Sequence, residues 1–165
     1  MKQVLIINGA GGVGKDFLCD CLRDKYGVQV VSSIDPVKAI ALQCGWDGVK
    51  DLRSRKFLSD LKRVITDYSD YLTDYMVDAY HAFLDSTDDL LFFHIREPGE
   101  IAKLVARIPE AHTLLVRTHR AVTLATGNAS DDLIEQYSYD SIFYNDGDAE
   151  EASLAFHAFI EQTFA

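Results

Sequence analysis

The chain has 165 residues, a length that suits one domain with one sizeable core. Hydrophobic residues make up 48% and charged residues 25%, ordinary for a soluble globular protein, and no apolar run approaches transmembrane length. A formal charge of −10 argues against a nucleic-acid polymer or an anionic membrane as the main partner. The first residues pass straight into an apolar run without a signal-peptide pattern. Cys19 and Cys21 sit two apart on a helical pattern and point away from each other, so a shared metal is not expected. With Cys44 they read as small, mostly buried thiols of a reducing cytoplasm.

The first element is the stretch Val4-Leu5-Ile6-Ile7-Asn8-Gly9-Ala10-Gly11-Gly12-Val13-Gly14-Lys15-Asp16. A β-branched strand leads into a glycine-rich turn, and the turn leads into a helix with Phe17, Leu18, Cys21 and Leu22 on one face. Gly9, Gly14 and Lys15 have the G-x-x-x-x-G-K spacing of a phosphate-binding loop. Such a loop wraps a polyphosphate in backbone N–H groups, and a Cβ would obstruct the approach or forbid the φ angles. Lys15 reaches the β- and γ-phosphates as a point charge, and the positive end of the helix faces the same anions. Gly9, Ala10, Gly11, Gly12, Val13, Gly14, Lys15 and Asp16 are therefore the candidate donor-binding residues. Asp16 stands where Ser or Thr ordinarily ligates Mg²⁺, so it is the candidate metal residue, acting through a water or simply favouring the helix N-terminus.

Strands are expected near 3–8, 28–32, 90–95, 112–117 and 141–145, alternating with helical patterns. That alternation predicts a parallel sheet with helices on both faces and right-handed crossovers. After the second strand, Asp35 is placed to cap a helix with Pro36 at its first position and Val37, Ile40, Ala41 and Cys44 along one face. A helix from about Leu52 to Ile65 is expected to bury Phe57, Leu58, Leu61, Val64 and Ile65. A longer one follows with Tyr68, Tyr71, Leu72, Tyr75, Met76, Ala79, Tyr80 and Phe83, a stripe that reads as core rather than ligand platform. This helical insertion, about 36–86, is a natural place for a second substrate.

Charge is unevenly spread. All 16 Lys and Arg lie at or before Arg120, nine acidic residues follow it, and six of the basic ones fall between Lys50 and Arg63. A local cationic patch on an acidic protein points to a small anionic ligand, against a solvated helix face. Ligands of open α/β sheets gather at the carboxyl ends of the strands. That places Arg96 after strand three for a phosphate, and Arg117 and Arg120 after strand four. An ion pair of Arg96 with Glu97 or Glu100 is the competing reading. His94 reads as a core histidine more than a general base, and His81, His112 and His157 as structural or surface residues. The polar segment 118–131 is in the right place for a short lid. Asp148 and Glu151 make a capping-box start for the last helix, which buries Ala152, Ala155, Phe156, Phe159 and Ile160.

These pieces resemble a known family in their order. Gly14-Lys15-Asp16 looks like the loop end of phage-type deoxynucleoside monophosphate kinases and animal phosphomevalonate kinases. Ser33-Ile34-Asp35-Pro36-Val37-Lys38 resembles the "FADPLK" element of the former. Gly45-Trp46-Asp47-Gly48 with Arg55-Lys56-Phe57-Leu58 resembles their "GWDG…RRLL" segment, and His94-Ile95-Arg96-Glu97 is similar to their "D-x-R" element. The run from Asp131 through Tyr139-Asp140 to Asn145-Asp146-Gly147 resembles their ending before the last helix. The resemblance implies one P-loop NTPase domain over 1–165, a three-layer sandwich with a five-stranded parallel sheet in the order 2-3-1-4-5 and an inserted helical acceptor region. It implies ATP with Mg²⁺ as donor and a small phosphate monoester as acceptor, first of all a (deoxy)nucleoside monophosphate. Asp35, Lys38, Arg55, Lys62 and Arg96 would bind the acceptor. Lys15, Arg117 and Arg120 would act on the transferring group, and Asn145 and Gly147 would lie near the adenine. A homodimer is compatible with this reading. His94 replaces the carboxylate expected at the end of strand three. Two alternatives follow: a kinase for a non-nucleotide phosphorylated metabolite, and a nucleotide-binding module without transfer.

Overall fold

The computed structural model describes residues 2–120 and 133–164. Five strands form one sheet: β1 (Gln3–Asn8), β2 (Val28–Ser32), β3 (Leu90–His94), β4 (His112–Arg117) and β5 (Ser141–Tyr144). They lie in the order β2-β3-β1-β4-β5, every neighbouring pair parallel. The expected third and fifth strands each end one residue earlier than the alternation suggested. The helices are α1 (Lys15–Cys21), α2 (Asp35–Gln43), α3 (Leu52–Tyr68), α4 (Tyr71–Asp85), α5 (Pro98–Arg107) and α6 (Ala149–Thr163).

The near-continuous apolar strands follow from burial on both faces. Leu5, Ile7, Leu90, Phe92, Leu114 and Val116 face one way, against Leu18 and Leu22 and against Phe156 and Ile160 of α6. Val4, Ile6, Leu91 and Phe93 face the other way, against Met76 and Phe83 of α4 and Ile101 and Leu104 of α5. Three layers result, and full burial of a side chain such as Phe92 or Phe156 contributes about 2–3 kcal/mol. A smaller cluster of Val37, Ala41, Leu58 and Leu72 ties α2, α3 and α4 together between β2 and β3.

Several expectations are corrected here. Helix α3, not α4, is the longer, with 17 residues against 15, and Tyr68 ends it at 91% exposure. Because α3 packs on α2 and α4 through a narrow stripe, Val64 is 54% exposed and Phe57 also reaches solvent. Cys44 is exposed at the end of α2, and Ala155 is exposed on α6. Asp35 does not cap α2: Ile34 holds the cap position, and the Asp35 carboxylate instead accepts from the Ser32 N–H at 2.9 Å. The capping box at α6 forms as expected, with Asp148 accepting from Glu151 N and Glu151 accepting from Asp148 N. Among the described residues, no helix is long and apolar enough to cross a membrane.

Candidate functional site

All five strands are parallel, so their carboxyl ends share one edge of the sheet. The loop from Gly9 to Gly14 rises from the central strand β1 and closes into α1. Gly9 has φ +154° and Gly14 has φ +93°. A Cβ on Gly9 would lie 2.6 Å from the Val116 carbonyl, and one on Gly14 would lie 2.7 Å from Asn145 Nδ2. These contacts show why the two positions take no side chain.

The loop is held from three strands. On β1, the fully buried Asn8 accepts from Gly9 N through Oδ1 at 2.8 Å. Its Nδ2 donates to the Arg96 carbonyl at 3.0 Å and to Tyr139 Oη at 2.8 Å. On β4, the Val116 backbone abuts Gly9. Just past β5, the buried Asn145 donates from Nδ2 to the Val13 carbonyl at 2.8 Å, while its Oδ1 has no hydrogen-bond partner among the described residues. Lys15 Nζ donates to the carbonyls of Gly9 at 2.5 Å and Ala10 at 3.2 Å, so the ammonium lies folded over the loop. Asn8 was missed at the level of sequence. Its signal was an amide closing an otherwise apolar buried strand, which must find partners to be tolerated there.

The end of β3 lies directly beside this loop, with His94 in register with Ile7 of β1 and Ser32 of β2. His94 Nδ1 is 3.6 Å from Asp16 Oδ1, and Nε2 is 3.6 Å from Cys19 Sγ. Burial holds the imidazole below its ordinary pKa, partly offset by Asp16, while the charges of Lys15, Asp35 and Arg96 also act on it. Asp16 lies against the ring, and the charges of Lys15, Asp35 and Arg96 are felt there. The main-chain link from Asn8 to Arg96 fixes the spacing between the loop and the residue after β3.

The helices between β2 and β3 bring the remaining acceptor-side candidates. Lys62 Nζ lies 2.7 Å from Glu97 and 2.9 Å from Glu100, and donates to Ser33 Oγ at 3.1 Å. Its charge is thus met in an ion pair by Glu97, the residue that caps α5, with the Glu100 carboxyl of α5 beside it. Arg55 lies seven residues earlier on the same face of α3 and is exposed, and Lys38 on α2 is half-buried. Neither has an ion-pair partner among the described residues.

Burial and the adjacent Glu97 push the Glu100 carboxyl up to about 7, while Glu97 itself, held by Glu100 and Lys62, is lowered. An unfolded glutamate titrates near 4.5. The folded protein therefore holds the extra proton between those values. Glu100's contribution to stability is full below about pH 4.5 and is lost as pH rises through 7. Glu100→Gln should remove that fall. Denaturant titrations should show the variant's stability relative to wild type rising by about 3 kcal/mol between pH 4 and pH 8.

On the opposite side, Arg117 pairs with Glu135, and Arg120 donates to the Asn145 carbonyl at 3.2 Å. Asp146 accepts from Thr118 Oγ1 at 3.0 Å and from His119 N at 2.6 Å, and its other oxygen meets His119 Nδ1 at 2.7 Å. The His119 ring stacks flat on Tyr144, centroids 4.6 Å apart. This latch between the ends of β4 and β5 has no sequence signature, because it joins two short polar loops far apart in the chain. Gly147 sits just before α6, where a Cβ would lie 2.6 Å from Glu151 Cβ. The expected lid, 118–131, falls mostly on residues 121–132, outside the described residues.

Comparisons with known proteins place the fold. No protein-family model matches the chain. A curated "Nucleotide-binding protein" from Syntrophomonas wolfei subsp. wolfei is 29% identical over 128 residues, covering 68% of this chain. The chain spans 42% of that relative's length. Among solved structures, the tunicamycin resistance protein of Deinococcus radiodurans superposes with a TM-score of 0.59 at 14% identity, over 97% of this chain and 96% of that one. A gluconokinase from Sinorhizobium meliloti 1021 gives 0.50 at 10% identity, over 98% and 95%. At such identities the likeness is one of fold. What is shared with them is a three-layer α/β fold, here with a glycine-rich loop at the end of the central strand of a β2-β3-β1-β4-β5 parallel sheet.

Proposed function

We propose that the protein transfers the terminal phosphoryl group of ATP, with Mg²⁺, to a small phosphate monoester, first of all a (deoxy)nucleoside monophosphate. The observation that carries this reading is the pairing of the Gly9–Gly14 cradle with Arg96 on the adjacent strand end, tied together through Asn8. The residues suit the donor. Gly9, Gly12 and Gly14 hold the loop at positive φ, Lys15 overhangs it, and the Asp16 carboxylate is exposed at its lip. When bound, the Mg²⁺–nucleotide supplies the group to be transferred and a compact positive charge beside it.

The chain's own part is positioning and charge. Loop N–H groups and Lys15 hold the donor phosphates. Arg96 holds the acceptor phosphate, with Lys38 and Arg55 on the neighbouring helices. Asp35 and Lys62 shape that side from either flank, and Lys62 acts there through its hold on Ser33 and Glu97. Arg117 and Arg120 border the donor from the β4 end, with Asn145 and Gly147 toward the base. No general base is needed, because a phosphate acceptor is already ionised. An assay of ADP release over a panel of nucleoside monophosphates and phosphorylated metabolites tests the proposal. Absence of acceptor-dependent ADP across the panel would refute it. Arg96→Ala should raise the acceptor KM by about tenfold to a hundredfold while leaving the KM for ATP within a factor of three, measured by steady-state kinetics.

A second reading has specific support. His94 occupies the strand end where a carboxylate is expected, and Lys62 is ion-paired with Glu97. A module that binds nucleotide and hands it on without transfer would show tight ATP binding and no turnover with any acceptor. The same panel, run beside an equilibrium binding measurement, separates the two.

A further inference from the structure

We infer that His94 and Asp16 together form the protein's half of a divalent-cation site, one nitrogen and one oxygen donor, and that this site favours Mn²⁺ and Co²⁺ over Mg²⁺. The inference rests on the nucleotide-binding reading above, since the nucleotide's phosphates supply the other half.

The two side chains come from different elements and meet at the mouth of the loop. Asp16 is the residue after Lys15, in the first turn of α1, and its side chain is 92% exposed. His94 ends β3 with a side chain only 15% exposed, its open edge turned to Asp16. The Nδ1–Oδ1 separation of 3.6 Å is too long for a hydrogen bond. Neighbouring donors of an octahedral ion at about 2.1 Å lie about 3.0 Å apart, so a small turn of the exposed Asp16 side chain lets both atoms ligate one ion. The far edge of the ring is provided for as well. Cys19 Sγ stands 3.6 Å from Nε2, so a ring that gives its Nδ1 lone pair to a cation can keep its proton on Nε2, directed at the sulfur. Cys19 is itself buried, and its thiol is held protonated by burial and by Asp16 and Asp20, which suits a supporting role rather than a ligand.

The donor set decides the preference. Mg²⁺ takes oxygen and keeps its waters, whereas imidazole nitrogen binds the later first-row ions more strongly. The two atoms a kinase of this fold ordinarily devotes to Mg²⁺ are a hydroxyl oxygen in the loop and a strand-end carboxylate. Here the carboxylate has moved into the loop, and the strand end carries nitrogen.

The test uses the intact chain with Mn²⁺ and ATP and reads the metal directly. Pulsed electron paramagnetic resonance on protein carrying ¹⁵N-labelled histidine should show coupling of Mn²⁺ to a ¹⁵N nucleus. His94→Ala should abolish that coupling. Competition between Mn²⁺ and Mg²⁺ in the nucleotide complex should favour Mn²⁺ at least tenfold more in the wild type than in His94→Asp, which restores an all-oxygen set. The wild-type spectrum needs no substitution, so a misfolded variant does not rescue the idea. Fluorescent-nucleotide displacement, run without added metal on wild type and Lys15→Ala, separates the two levels. Nucleotide bound with Mn²⁺ coupled to no histidine nitrogen, or an unchanged Mn²⁺:Mg²⁺ ratio, overturns this inference alone. Absence of Lys15-dependent nucleotide binding overturns both.

Discussion

Replacing Lys15 with alanine should lower kcat/KM for phosphoryl transfer by about a thousandfold, equivalent to about 4 kcal/mol of transition-state stabilisation. Lys15 Nζ overhangs the loop, bonded to the Gly9 and Ala10 carbonyls at its rim. Any phosphate seated in the cradle meets that ammonium first. Its charge counts most where negative charge accumulates on the transferring group, in a site partly screened from water. The fold should survive the change. Asn8, Asn145 and the Val116 backbone hold the loop independently of the lysine, and losing its bonds to the Gly9 and Ala10 carbonyls costs about 1–2 kcal/mol. A melting temperature lowered by only a few degrees, beside the thousandfold kinetic loss, would assign the effect to charge. Lys15→Arg should not restore activity, because a planar guanidinium does not fit where a compact ammonium folds back onto two carbonyls. An alanine variant within tenfold of the wild type would refute the donor assignment.

Gly9→Ala should be the most destabilising single change in the loop, at about 3 kcal/mol, lowering the melting temperature by about 6–12 °C. Two penalties add. The backbone stands at φ +154°, which L side chains rarely adopt, and the new Cβ would lie 2.6 Å from the Val116 carbonyl. That carbonyl belongs to β4, held in register between β1 and β5, so it cannot retreat without disturbing the centre of the sheet. Gly99→Ala is the matched control. It meets nothing within 4 Å, lies in the first turn of α5, and should be neutral or stabilising by up to about 1 kcal/mol. Calorimetry of the two variants decides the matter: equal melting temperatures would mean that the Gly9 contact relaxes freely.

Much of this architecture could be read from local pattern. The strands were placed to within a residue, because two-sided burial leaves unbroken apolar runs such as Leu90–Phe93 and Leu114–Val116. The glycine spacing marked the loop, because backbone conformation there depends on residues adjacent in the chain. The capping box at Asp148 and Glu151 was legible for the same reason. The outer helices were less legible. Helical periodicity places Val64, Phe57 and Leu58 on a common side of α3, but it says nothing of how narrow the contact with α2 and α4 will be.

Sequence alone thus determined the α/β class, the glycine-rich loop and the set of cations available near it, since each of these depends on neighbours a few residues away. Tertiary structure alone decided which partners those groups meet. Lys62 finds Glu97 across 35 positions of sequence, and Asn8 reaches Arg96 across 88. Parallel strands joined by crossover helices bring distant segments to one edge of the sheet. The charge state of Glu100, the pairing of Lys62 with Glu97 and the meeting of His94 with Asp16 and Cys19 depend on those long-range approaches and on the burial they create.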